Sequence, residues 1–139
     1  MIEHIWSILC SRSIIDSETN NISIHDVIDQ IKVNAEPVPD GFLPISLELT
    51  TLWGRSETDQ PGEGVERVLF ETPSGKSNVV SEAKIDLSVA PRHRQRVKFK
   101  GLKLSESGRY YFKVELKNGD AWKQVAAIPL TVMFDSPKE

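Results

Sequence analysis

One cysteine, Cys10, and three histidines are the whole supply of thiol and imidazole in this 139-residue sequence. No internal disulfide can form, which suits a reducing compartment. The spacing of Cys10 with His4, His25 and His93 matches no metal or catalytic signature. G-x-S-x-G, H-E-x-x-H and a glycine loop built to cradle phosphate are all missing. Long apolar runs are missing too. The opening stretch MIEHIWSILC carries Glu3 and has no small-residue cleavage site. Neither a signal peptide nor a membrane span is therefore expected, and the cytoplasm is the default location. There is no internal repeat and no low-complexity tract. What remains is ordinary globular material, 39% hydrophobic and 27% charged, of a length that fits one domain over residues 1–139. Such a chain buries roughly two-thirds of its unfolded surface and needs no disulfide or metal to fold.

The strongest local pattern is LKLSESGRYYFKVEL, residues 102–116. From Gly108 onward Tyr110, Phe112, Val114 and Leu116 alternate with Arg109, Tyr111, Lys113 and Glu115. Successive side chains of a strand point to opposite faces, so this is a half-buried strand entered through a polar, flexible corner. Leu102, Glu106, Gly108 and Tyr110 resemble the L-x-x-x-D-x-G-x-Y run that opens strand F of immunoglobulin-like domains. By that resemblance Tyr110 is a tyrosine-corner residue whose hydroxyl bonds back to corner backbone. Phe112 stands where antibody domains keep a cysteine, and Glu106 replaces the usual Asp. The similarity is thus to the wider, disulfide-free superfamily. More narrowly, SILC…NNISIHDVIDQI and the late G-L-x-L-x-E-S-G-x-Y-x-F run resemble a family of small uncharacterised bacterial β-sandwich proteins. That resemblance covers most of the chain and implies a fold, with no activity attached.

About eight short apolar runs separated by turn signals have the spacing of a sandwich. Residues 2–10 are apolar on both faces, as a covered strand would be, and residues 12–21 are a polar connection. Residues 22–33 have helical spacing at Ile24, Val27, Ile28 and Ile31, but their β-branched content and the family resemblance favour a strand with a bulge near Asp26. EPVPDG is a loop, Ile45 to Trp53 alternate as a strand, and GRSETDQPGEG is expected to be a mobile surface loop. Strands follow at 65–72, 79–89 (Ile85, Leu87 and Val89 inward), 95–102 and 121–134. Asn118-Gly119 suggests a two-residue hairpin loop, yet that register puts Lys123 on the core side. A three-residue loop with Gly119 left-handed buries Trp122, Ala126, Ile128, Leu130 and Val132 instead, and the apolar count selects it. The expected fold is all-β: a single immunoglobulin-like antiparallel sandwich of about eight strands.

Candidate chemistry is thin. Cys10 lies in an apolar strand, where a free cysteine acts as a small hydrophobe more often than as a nucleophile. His4 and His25 can meet across neighbouring strands, but two histidines make a poor zinc site. Asp26 with Asp29, or Glu63 with Glu66, form acid pairs of a kind common on solvated surfaces. Trp6, Trp53 and Trp122 all have core positions in the strand reading. Trp53, at a strand end beside the polar loop, and Tyr111 are the candidate exposed aromatics. No catalytic residue, metal site or cofactor is expected.

Charge is distributed unevenly. Arg92, Arg94, Arg96, Lys98, Lys100 and Lys103 supply six of the 17 basic residues with no acid between them, leaving 11 basic against 20 acidic residues elsewhere. On a strand Arg94, Arg96, Lys98 and Lys100 share one face, opposite Gln95, Val97 and Phe99. A solvated, charged edge strand that discourages aggregation is the plain explanation; a surface for an acidic partner is the functional one. Nucleic acid is disfavoured, because Phe99 points inward and the acidic remainder repels a polyanion. The expectation is a non-catalytic interaction module whose partner is another protein. The alternative is a ligand-binding module for carbohydrate or nucleic acid. An enzyme ranks third, no membrane partner is expected, and a homo-oligomer stays open.

Overall fold

Tyr110, Phe112 and Val114 are fully buried while their neighbours are half-buried or exposed, so the alternation in the sequence becomes a strand with one face in the core. The computed structural model describes residues 2–56 and 62–135. Eleven strands and no helix occur among the described residues: β1 (Ile2–Ile15), β2 (Ile22–Val27), β3 (Gln30–Val33), β4 (Phe42–Leu43), β5 (Leu47–Arg55), β6 (Gly62–Glu71), β7 (Ser77–Leu87), β8 (Arg92–Phe99), β9 (Leu102–Lys103), β10 (Gly108–Lys117) and β11 (Trp122–Phe134). Four form an antiparallel sheet in the order β2-β1-β5-β8. Five form a mixed sheet in the order β3-β11-β10-β6-β7, and β4 with β9 makes a short ribbon.

The count exceeds the expected eight for physical reasons. β4 and β9 are two-residue pairings within connections. Residues 22–33 are extended, as expected, but they split. Asp26 adopts φ 51°, and beyond it the chain leaves the four-stranded sheet, so that β3 runs parallel to β11 in the other sheet. The local signal near Asp26 is a change of sheet, where a simple bulge was expected.

The two large sheets share one core. Leu9, Leu47, Leu49 and Trp53 from the first meet Val68, Phe70, Tyr110, Phe112, Leu130 and Val132 from the second. Phe99 of β8 lies 5.3 Å from Phe112 of β10, ring centre to ring centre. Tyr110 closes the corner before β10: its hydroxyl donates to the Glu106 carbonyl at 2.7 Å and accepts the Glu106 N–H at 3.3 Å. Gly108, at φ 138°, supplies a backbone conformation that a side chain would strain.

Several expected details differ. β1 does not stop at Cys10; it continues to Ile15 because β2 pairs with it as far as Ile15↔Ile22. Val89, expected inward, is 90% exposed in the turn between β7 and β8. Of the expected loop at 54–64, Gly54 and Arg55 close β5 and Gly62 opens β6; residues 57–61 lie outside the described residues. The last hairpin pairs Lys117 with Trp122, a four-residue loop, and a bulge between Val114 and Glu115 then shifts the register. Leu130 and Val132 are buried and Ala126 and Ile128 pack on the core, as expected. Trp122 precedes the bulge and lies outside the core, 4.1 Å beneath the Arg67 guanidinium.

Candidate interaction surface

β8 forms one edge of the four-stranded sheet, paired among the described residues only with β5. Its register is unbroken: Arg92, Arg94, Arg96 and Lys98 stand opposite Gly54, Leu52, Thr50 and Glu48. Val97 and Phe99 pack on the core, so the cations take the other face.

They do not form a uniform stripe in water. Arg94 and Arg96 are half-buried, while Arg92, Lys98 and Lys100 are exposed. Arg96 donates from Nε to Ser13 Oγ at 2.8 Å and from Nη2 to the Ser13 carbonyl at 3.1 Å. Arg94 Nη2 donates to the Asn20 carbonyl at 3.1 Å. These bonds tie the far end of the β1–β2 hairpin to β8, across the outer face of β5. They explain why β5 is buried on both faces, with Glu48 only 2% and Thr50 0% exposed. Lys103, the sixth cation of the cluster, is exposed in β9.

Glu48 is the anion under this cover. Its carboxylate accepts from the hydroxyls of Ser13 and Thr50, with Arg96 Nε 3.6 Å away. Burial pushes the Glu48 carboxyl up, but the two hydroxyls and the Arg96 and Lys98 charges outweigh it and hold the group below the usual carboxylate range. A groove of about 470 Å³ opens beside this cluster, lined by Arg12, Ser46, Glu48, Arg96, Lys98 and Lys100. Arg12, on β1, extends the basic rim beyond β8. One buried carboxylate thus lies among four cations, and the groove is cationic in balance.

The two candidate aromatics fare differently. Trp53 is 0% exposed and presents no face to a ligand. Register places it toward the core, and its Nε1 donates to Glu66 Oε1 at 3.0 Å. Tyr111 is half-buried on β10 between Glu71 and Pro129 of the flanking strands. Trp6, given a core position by sequence, is half-buried opposite Leu52.

The candidate reactive groups do not converge. Cys10 is buried, and its Sγ points at the Glu48 carbonyl 3.6 Å away. Burial, then the nearby Glu48 charge, raises its thiol pKa and leaves little thiolate. His25 pairs with Arg12, far along β1 from His4, so the two histidines do not meet. Glu63 is exposed and bridges to Lys84, whereas Glu66 is core, so they make no acid pair. Among the described residues no group of three His, Cys, Asp or Glu side chains could hold a metal, and no helix is long and apolar enough to cross a membrane.

Glu66 was expected on a solvated surface as half of an acid pair, and the structure places it in the core instead. It is 1% exposed, Oε2 has no hydrogen-bond partner among the described residues, and burial pushes the carboxyl up to about 7 against the bonds from Trp53 and Thr51. A line of hydroxyls leads outward: Thr51 Oγ1 to Ser7 Oγ at 2.7 Å, then to His4 Nε2 at 2.7 Å. The carboxyl sits at the threonine end and not against the imidazole, so this is not the base-orienting order of a nucleophilic triad. Glu66 occupies an inward position of the alternation in β6, between Gly64 and Val68. That parity was the available signal.

No family model, curated protein or solved structure matches the chain.

Proposed function

We propose that this chain is a non-catalytic, immunoglobulin-like β-sandwich module of the cytoplasm that binds an acidic segment of another protein. The observation that carries this reading is the groove beside β8. Arg12, Arg96, Lys98 and Lys100 line it, on a molecule whose formal net charge is −3. A local positive field on an acidic body attracts anionic segments and rejects whole acidic molecules, which favours specificity over general adhesion. The Tyr110–Glu106 corner supports the immunoglobulin-like part of the reading. The buried Cys10 suits a reducing setting. Carbohydrate is less favoured, because the tryptophan beside the polar loop is in the core. Nucleic acid lacks a stacking platform here, since Phe99 is packed against Phe112.

The test is binding of fluorescent oligoglutamate, measured by anisotropy across a salt series, for wild type and Lys98→Gln/Lys100→Gln. Both lysines are exposed, so the variant should fold normally. Saturable binding that weakens with salt and in the variant supports the proposal. Equal binding by both proteins, or tighter binding of a single-stranded oligonucleotide of matched charge, overturns it.

A further inference from the structure

We propose that the acidic partner is an extended segment that adds to β8 as a fifth strand of the four-stranded sheet. The inference rests on the acidic-partner reading above and specifies how that partner is held. It begins with the edges. A strand at a sheet edge carries N–H and C=O groups directed away from its neighbour, and proteins usually blunt such edges by shortness, bulges or charge. Three of the four edges here are blunted by shape. β2 has six residues and carries the left-handed Asp26 one residue before its end; β3 has four; β7 is bulged where its pairing with β6 shifts between Val68 and Leu69. β8 is different. Its eight residues, with neither proline nor glycine, pair with β5 in one uninterrupted register. From β7, the preceding strand, a hydrogen bond reaches β8 at its start, from the Asp86 N–H to His93 Nδ1 at 3.4 Å. The edge from Gln95 to Phe99 lies beyond that contact.

Charge is the one device guarding this edge, and charge is selective. Two copies of β8 laid side by side would set cations against cations, so self-pairing is opposed. An extended segment with acids at every second position would place them beside Arg96, Lys98 and Lys100 while its backbone completes the ladder. Arg94 and Arg96 already lean inward to Asn20 and Ser13, which holds these two long side chains away from the edge. Lys98 and Lys100 stay exposed at the end where the groove opens. A nucleic acid can satisfy the charges but not the backbone ladder.

The experiment keeps the protein unchanged and alters the ligand. A labelled peptide alternating Glu with Val and Thr, as long as β8 (8 residues), is compared with two analogues N-methylated at alternate residues, one for each set. N-methylation removes ladder donors and preserves charge. Pairing at the edge predicts that one analogue binds about tenfold or more weakly while the other is much less affected, because only alternate residues face β8. It also predicts slowed amide exchange in β8 on binding the parent peptide. Equal affinity for all three peptides, or no change in β8 exchange, overturns edge addition and leaves the acidic-partner reading standing. Failure of every peptide and of oligoglutamate to bind overturns both.

Discussion

Trp53 and Glu66 join the two large sheets through a single hydrogen bond, indole N–H to carboxyl oxygen, at 3.0 Å in the middle of the core. An indole can only donate, so it needs an acceptor when buried. A carboxyl supplies one, at the cost of placing an ionisable group where water does not reach.

That group should make stability fall as pH rises. The folded carboxyl titrates at about 7, against an ordinary value of 4.5. Between those values the folded state holds a proton that the unfolded chain has released. Stability is then full below the unfolded value and is lost as pH climbs through the folded one, by roughly 3 kcal/mol at ~1.4 kcal/mol per unit. Glu66→Gln keeps an acceptor for Trp53 and removes the titration. Urea midpoints at pH 5 and pH 8 should differ clearly in wild type and little in the variant. A wild-type midpoint that holds steady over that interval would refute the assignment.

Glu48 should act in the opposite direction. Its folded carboxyl lies below the ordinary range, so its contribution is present above the unfolded value and disappears as pH falls through the folded one. Glu48→Gln should therefore blunt the acid side of the stability profile, measured by thermal melts between pH 5 and pH 2. An unchanged acid limb would show that other carboxylates control it.

Arg96 and Lys98 should prove unequal, though the sequence gives no reason to separate them. Arg96→Gln withdraws a cation from a carboxylate that stays buried, which should cost about 2 kcal/mol after allowing for partial exposure. Lys98→Gln should stay within ~0.5 kcal/mol. Chemical denaturation of the two single variants decides it, and equal costs would mean that the Arg96 contact contributes nothing to the fold.

Tyr110→Phe should lower stability by about 0.5–1.5 kcal/mol, the net worth of one hydrogen bond. An unshifted denaturation midpoint would show that the corner is held by packing alone.

How much of this was legible depended on how local the cause was. Alternation over Tyr110 to Leu116 and the corner before it needed only near neighbours, and both are as read. The inward set Ala126 to Val132 was recovered from the apolar count, although the bulge that produces it was not. Trp122 went astray for that reason, since one extra residue between it and Ala126 exchanges the faces. The core position of Trp53 was legible from alternation, while its place beside a polar loop made it a candidate for exposure; the register against β1 and β8 that removes that candidacy is a property of distant strands. The division of β8 into committed and free cations could not be read at all. It depends on Ser13 and Asn20, some 80 positions away.

β3 has a consequence for synthesis. It leaves the first sheet at residue 30, yet the strand it lies against, β11, begins at Trp122. When Phe99 has emerged from the ribosome every member of the four-stranded sheet exists, while β3 still waits for its neighbour. By then β6 and β7 have emerged as well, but β10 and β11, which stand between them and β3, have not, so the second sheet lacks its centre and Phe99 lacks Phe112. The nascent chain therefore holds one complete sheet and one in two pieces, and the shared core closes only when the final strand arrives.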